Sequence, residues 1–229
     1  MGILYIIATP LGNLKDITFR AVEILKEVDL VACEDTRQTI KLLNHYGISK
    51  PLTSYFQHSK LSKIEYLAEQ LKSGKNLALV TDAGTPGISD PGNKLVEQLI
   101  ILIAGESSLK IIPIPGPCAA ITALSVCGFP TDKFIFMGFP PHKKGRETYF
   151  KEVAAAEETV VFYESTHRIL KTLEQIKNLM PEARLMIGRE LTKMFETLYR
   201  GTAQEILDIL NSDKNNQKGE FVVVIHRKN

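Results

Sequence analysis

The sequence predicts an α/β protein made of two αβα lobes. Short β-rich runs alternate with helical patterns almost throughout, which implies parallel-rich sheets with helices on both faces. The strand candidates outnumber what one compact sheet of a 229-residue chain holds comfortably. Midway, Pro113-Ile-Pro-Gly-Pro117 reads as a hinge, giving expected lobes of residues 1–114 and 115–229.

In the first half, strands are expected at Ile3–Ala8, Leu30–Cys33, Leu52–Tyr55, Asn76–Val80 and Lys110–Ile114, each a run rich in apolar or β-branched residues. Between and after them lie helical patterns at Thr18–Lys26, Arg37–Tyr46, Ile64–Leu71, Gly92–Ile103 and Cys118–Val126. Thr18 can start its helix. Asp35 is placed as an N-cap, with Gln38 three residues on. Asp90 as N-cap and Pro91 at the first helical position are expected to open the helix that follows them.

The second half repeats the theme with strands at Phe134–Phe139, Thr159–Tyr163, Arg184–Gly188, Phe195–Tyr199 and Phe221–His226. Helices are expected at His167–Leu179 and Ala203–Leu210. The former carries Ile169, Leu170, Leu173, Ile176 and Leu179 on one face, with Ser165 as its N-cap. Met180-Pro181 stops it, because proline cannot continue the ladder. The polar run from Asn211 to Lys218 reads as an exposed loop.

Composition narrows the function classes. Net charge is +2, so a nucleic-acid partner has to be met by a local basic patch. Cys33, Cys118 and Cys127 show no C-x-x-C spacing, which argues against a disulfide framework and against a zinc site, and no metal is expected. The longest apolar stretch, Leu95 to Ala104, is too short to cross a bilayer. Met1 runs directly into strand-like sequence without a basic n-region, so a cytoplasmic protein with no membrane partner is expected.

The familiar nucleotide signatures are absent. No G-x-G-x-x-G follows a strand, and Gly87 and Gly92 have Walker-A spacing without the Lys-Ser/Thr that must follow. What stands out is the loop Val80-Thr-Asp-Ala-Gly-Thr-Pro-Gly-Ile-Ser-Asp-Pro-Gly92. It holds three glycines, two prolines and several short polar side chains at the expected carboxyl end of a strand, where α/β proteins tend to bind ligands. Asp90-Pro91 is explained by the helix start. Asp82 to Pro86 lies upstream of that cap and reads as a ligand loop.

Other strand ends carry similar signals. Thr9-Pro-Leu-Gly-Asn-Leu-Lys-Asp16 and Pro115-Gly-Pro-Cys-Ala-Ala120 offer tight, small-side-chain backbone. Glu34-Asp-Thr-Arg37 leaves Glu34 and Arg37 for polar work once Asp35 caps. Pro140-Pro-His-Lys-Lys-Gly-Arg146 is the densest basic stretch, with no acid until Glu147; it reads as a solvated loop or as a phosphate-backbone contact. Phe162-Tyr-Glu-Ser-Thr-His-Arg168 and Gly188-Arg-Glu-Leu-Thr-Lys193 end two further strands with charge.

Taken in order, Ala8 to Thr18, Glu34 to Arg37, Thr81 to Gly92, Pro113 to Ala120, Phe162 to Arg168 and Arg189 to Lys193 resemble the tetrapyrrole methylase superfamily of S-adenosylmethionine-dependent enzymes. The resemblance runs from the first strand almost to the last. Tetrapyrrole-modifying relatives have a more glycine-rich first loop, so Ala-Thr-Pro-Leu-Gly-Asn favours the RNA-modifying branch. The resemblance implies two αβα lobes with S-adenosylmethionine in the cleft between them, usually in a homodimer. It also implies methylation of a cytidine ribose 2′-hydroxyl in 16S rRNA, within the 30S subunit.

By the same resemblance, Asp82, Ala83, Gly84, Thr85 and Ile88 would hold the cofactor. Pro10 would border it, Cys118 and Ala119 would touch it, and Glu164 and Leu191 would close it. Relatives commonly continue past the final strand into a helical extension, whereas the sequence given ends at Asn229. Contacts to the substrate RNA are expected at Arg20, Lys143, Lys144, Arg146, His167 and Arg168.

A ribose hydroxyl is a poor nucleophile near neutral pH and needs a group to take its proton. Glu34, Asp35, Glu164 and His167 are candidates by position, and Arg37 or Arg20 could stabilise the forming alkoxide. Glu34 and Arg37 are the preferred substrate-side pair. Two alternatives stand beside this reading. One is a carbon methyltransferase acting on a corrin or porphyrin precursor; the other is a non-catalytic module that binds S-adenosylmethionine or RNA.

Overall fold

The computed structural model describes residues 1–56, 59–103 and 109–227. Ala104, at the end of the longest apolar stretch, and Asn229 lie outside them. The chain divides into two compact units at Cys118/Ala119, four residues beyond the boundary that the proline-rich stretch suggests.

Unit 1 holds five strands: β1 (Ile3–Ile7), β2 (Leu30–Cys33), β3 (Leu52–Ser54), β4 (Leu77–Val80) and β5 (Lys110–Ile114). Its helices are α1 (Phe19–Glu27), α2 (Thr36–His45), α3 (Leu61–Lys72) and α4 (Asn93–Ile103). The strands pair in the order β3-β2-β4-β1-β5, parallel at every pairing.

Strand side chains alternate between faces, and each face has its own core. Leu4, Leu77 and Leu79 pack with Leu67 and Leu71 of α3 and Leu95 and Leu99 of α4. Ile7, Ala78 and Val80 pack with Ala21 and Leu25 of α1 and Leu43 of α2. Burying both faces is why these strands read as continuous apolar runs. Thr18 caps α1 by accepting from the Ala21 amide, and Asp35 caps α2 by accepting from the Arg37 amide.

Unit 2 contains α5 (Ala119–Val126), β6 (Phe134–Phe136), α6 (Arg146–Ala155), β7 (Thr159–Ser165) and α7 (Ile169–Leu179). β8 (Arg184–Arg189), β9 (Thr197–Gly201), α8 (Ala203–Ser212) and β10 (Glu220–His226) complete it. The strand order is β6-β7-β10-β8-β9. Here the expectation of a parallel-rich sheet is corrected: β6 pairs with β7 in parallel, while β7·β10, β10·β8 and β8·β9 are antiparallel. Strand-helix alternation does not fix direction when a strand returns by a short loop, as β9 does after β8. Phe150 of α6, Leu173 and Ile176 of α7 and Ile206 and Leu210 of α8 form one core with Phe162, Ile187 and Val223. α5 packs on the sheet against β10, β7 and β8.

Three element expectations change. α6 has no counterpart in the sequence reading. Ser165 does not cap α7: β7 runs on through Ser165, which pairs with Glu220, and α7 begins at Ile169 without a side-chain cap. α4 begins at Asn93, three residues after Asp90 and two after Pro91, with the Gly92 carbonyl accepting from the Val96 amide.

Candidate functional site

Three strand-end loops of unit 1 are laced into one platform. Thr9, after β1, exchanges both backbone hydrogen bonds with Gly84, after β4, at 2.9 and 3.0 Å. The buried Thr9 hydroxyl donates to the Thr81 carbonyl at 3.0 Å. The Thr85 hydroxyl donates to the carbonyl of Pro117, after β5, at 3.0 Å. A fourth loop joins through the Asp35 amide, which donates to Asp82 Oδ1 at 3.1 Å.

The loops follow β1, β2, β4 and β5, so the sheet order places them at one carboxyl edge. Gly84 takes φ +85°, a conformation that L side chains rarely adopt. A Cβ at Gly116 would lie 2.9 Å from the Ala8 Cβ, so only glycine allows the first and fifth strand ends this close. Gly87, at φ +84°, is fastened to the start of α4, where the Asn93 amide group donates to its carbonyl at 2.9 Å.

The predicted cofactor residues of unit 1 gather here. Asp82, Ala83 and Ile88 are exposed, Thr85 and Cys118 are half-buried, and Pro10 and Gly84 are buried. Thr9, Thr81 and the Pro117 carbonyl do the lacing and were not singled out individually in the sequence. Their one signal is position, immediately after a strand or beside a proline.

The rim is acidic. Burial and the nearby Asp82 charge push the Glu34 carboxyl above its ordinary value. Burial likewise raises Asp82, partly offset by the Asp35 amide. Asp35 behaves oppositely, because hydrogen bonds from Arg37 hold it down to about 2. Arg37 donates to both Asp35 oxygens, with Nη2 at 2.7 Å from Oδ2 and Nε at 3.1 Å from Oδ1. The two residues of the expected pair differ in setting: the Glu34 carboxyl is raised by burial and by Asp82, while Arg37 is tethered to Asp35.

In unit 2 several of the expected residues are enclosed. Glu164 has a fully buried side chain. Its Oε1 accepts from the Ser165 amide at 2.8 Å and pairs with Arg168 Nε at 2.9 Å; its Oε2 accepts from the Thr172 hydroxyl at 2.6 Å. Arg146 is 4% exposed rather than part of a solvated basic loop. Its guanidinium reaches Thr172, Gln175 and the Pro141 carbonyl, with Glu164 3.7 Å away. Its burial is not legible locally, because Glu164, Thr172 and Gln175 lie 18 to 29 residues further along the chain. Arg168 is half-buried, and its Nη1 donates to the Pro140 carbonyl at 2.7 Å.

Lys143, Lys144 and His167 are exposed, as is Arg20 in unit 1. Ala119, the first residue of α5, is half-buried. Leu191 is 7% exposed and turned inward over Gly188, where a Cβ would lie 2.7 Å from Leu191 Cδ2. The loop around it is strained, with Glu190 at φ +52° and Thr192 at φ +67°. Arg189 braces it by donating to the carbonyls of Lys218, Phe195 and Asn215. Among the described residues, no cluster of His, Cys, Asp and Glu suits a metal ion, and no helix is long and apolar enough to cross a membrane.

Fold and loops define a two-unit α/β protein with a hydrogen-bonded loop platform at the carboxyl edge of a parallel sheet. The chain belongs to the family of Tetrapyrrole (Corrin/Porphyrin) Methylases, whose model matches residues 3–207, and it is a methyltransferase by that membership. It is 47% identical over 229 residues to Ribosomal RNA small subunit methyltransferase I of Haemophilus influenzae, covering 99% of this chain and 79% of that protein. The fold is shared with diphthine synthase, at TM-score 0.72 and 15% identity, covering 98% of this chain and 90% of that one. It is shared too with uroporphyrin-III C-methyl transferase from Thermus thermophilus, solved complexed with S-adenyl homocysteine, at TM-score 0.65 and 14% identity over 97% of each chain.

Proposed function

We propose that the chain methylates a cytidine ribose 2′-hydroxyl of 16S rRNA, within the 30S subunit, with S-adenosylmethionine as methyl donor. The observation that carries the cofactor part is the Thr9–Gly84–Pro117 platform. Its surface is backbone and small side chains, and its rim bears the carboxylates Glu34 and Asp82, a setting that suits a cationic sulfonium. The substrate class rests on 47% identity to the ribosomal RNA enzyme.

S-adenosylmethionine, when bound, supplies an electrophilic methyl group that needs no further activation. The chain's own residues supply the rest. Asp82, Ala83, Gly84, Thr85 and Ile88 hold the cofactor, with Pro10, Cys118 and Ala119 beside them. Glu34 takes the ribose proton as the new bond forms; its raised pKa brings it closer to that of an effective base near neutral pH. Arg37, fixed by Asp35, offers positive charge to the developing alkoxide. Lys143, Lys144, His167 and Arg20 meet the RNA backbone. The same reading includes a cytoplasmic homodimer.

The test is transfer of labelled methyl groups from S-adenosylmethionine to unmodified 30S subunits, followed by mapping of the methylated atom. A label on a cytidine 2′-oxygen is the expected result. Label on a base, or on a corrin or porphyrin precursor instead, would overturn the reading.

A further inference from the structure

Two of the cations expected to touch RNA are withdrawn from solvent, and both end on the backbone of one loop. Arg168 Nη1 donates to the Pro140 carbonyl at 2.7 Å, and Arg146 Nη1 to the Pro141 carbonyl at 3.2 Å. The Arg146 amide also donates to the Lys143 carbonyl at 3.2 Å. Prolines have no N–H, so the carbonyls are the only backbone groups by which Pro140 and Pro141 can be gripped.

We infer that the Glu164–Arg146–Arg168 cluster is a positioning device for the Pro140–Gly145 loop, holding Lys143 and Lys144 where they meet the phosphodiester backbone of an RNA substrate. The inference rests on the rRNA reading for the identity of that substrate. The hold on the loop stands on geometry alone.

Three features argue that the cluster does more than stabilise. A buried ion pair is weak evidence for stability, since apolar residues of similar volume often serve as well or better. Arg146 is the first residue of α6, a cation at the positive end of a helix whose N-cap, Gly145, has φ +86° and offers no side-chain bond. Local rules broken in this way are expected where function is served. The third feature is the division of labour along the loop. Its base is pinned by two guanidinium groups, while His142, Lys143 and Lys144 are exposed.

Glu164 is the hinge-pin of the arrangement. Its Oε1 faces Arg168 at 2.9 Å, and its Oε2 accepts from Thr172, whose hydroxyl also receives Arg146 Nη2 at 2.6 Å. Both arginines are thereby aimed at the loop. Two lysines on a pinned loop lose less conformational freedom on binding than two on a mobile one. They bind phosphate as point charges and carry no base specificity.

The test combines Arg168→Lys with the pair Lys143→Ala/Lys144→Ala. Arg168→Lys keeps charge against Glu164 but lacks the second nitrogen that reaches Pro140. Two readouts are taken: the trypsin cleavage rate after Lys143 and Lys144 without RNA, and the Kd for unmodified 16S rRNA across a salt series. In the wild-type background, removing both lysines should weaken binding about tenfold and flatten the log–log salt slope by roughly 1.4, two single-strand phosphate contacts' worth. In the Arg168→Lys background the same removal should cost less than about twofold, and trypsin should cut about tenfold faster.

An equal lysine effect in both backgrounds, with unchanged trypsin rates, overturns the positioning role. If wild-type binding to rRNA does not depend on the lysines, the RNA assignment of the loop falls, and the trypsin rates still decide whether the arginines hold it. Should Arg168→Lys melt far below wild type, Thr172→Val carries the same cycle, since it removes the hydroxyl that links Arg146 to Glu164.

Discussion

The amide of Thr9 donates to the carbonyl of Gly84 at 2.9 Å, and the amide of Gly84 returns a bond to Thr9 at 3.0 Å. The two residues are 75 apart in sequence. The bridge ties the loop after β1 to the loop after β4 through main chain, and the Thr9 hydroxyl adds a bond to the Thr81 carbonyl. The shape of the platform is therefore set by backbone conformation, and glycine at residue 84 is the condition for it.

Gly84→Ala should weaken S-adenosylmethionine binding more than it weakens the fold. The added Cβ would lie 3.4 Å from Leu11 Cδ2, an ordinary contact, so the cost is mainly the left-handed backbone, about 1–2 kcal/mol. A fall in Tm of a few degrees is expected. Cofactor affinity by titration calorimetry should drop about tenfold or more as the loop relaxes. Unchanged affinity would remove Gly84 from the binding surface.

Glu34 and Asp82 give a pH dependence whose sign is fixed. The folded pKa of Glu34 is raised, so folding disfavours its ionised form. The penalty is absent below the unfolded pKa, about 4.3, and complete above the folded value. Glu34→Gln should therefore raise Tm at neutral pH, with the gain vanishing as pH falls through the carboxylate range. The same variant should slow single-turnover methyl transfer about 10²-fold or more if Glu34 is the base. Asp82→Asn removes a charge that raises Glu34, so the acid limb of the pH–rate profile should move to lower pH.

Glu164→Ala should be among the most damaging single changes in unit 2. It leaves Arg146, 4% exposed, beside Arg168 with no countercharge. Removing one partner of a buried pair costs about 3–5 kcal/mol. Glu164→Gln keeps the shape and should cost less. Thermal unfolding of the two variants side by side separates lost charge from lost packing.

Thr192→Gly should stabilise the protein and slow it. A β-branched residue at φ +67° is strained, and the buried Thr192 hydroxyl oxygen has no hydrogen-bond partner in the structure. Glycine relieves both, for a gain of about 1 kcal/mol in melting experiments. If the strain sets the Arg189–Lys193 loop for function, methyl transfer should fall severalfold. Equal activity with higher Tm would make the strain incidental.

Much of unit 1 was legible because its signals are local. Leu77–Val80 is apolar on both faces, Thr18 and Asp35 sit where caps belong, and glycine with proline marks each strand end. Unit 2 hid more because its signals are not local. α6 escaped because Arg146 and Thr148 interrupt the apolar period, and Arg146 is buried only by virtue of Glu164, Thr172 and Gln175. Ser165 looked like a helix cap because its pairing with Glu220 lies 55 residues ahead. Of the candidate site, the loops could be read in advance, since backbone shape is written in glycines. The burial of Glu164 could not, since an isolated charge reads as surface.

The place of β10 in its sheet bears on how the chain is made. It is the last strand in sequence and the middle one in space, joined to β7 on one side and β8 on the other. Until residues 220–226 have left the ribosome, β6-β7 and β8-β9 are two separate ribbons with exposed edges, and two-stranded ribbons are marginal in water. Unit 1 has no such wait, because its sheet is complete once β5 emerges. During synthesis the first unit can therefore fold while the second is still open, and a stop codon before Glu220 would leave a folded sheet trailing two unpaired, aggregation-prone ones.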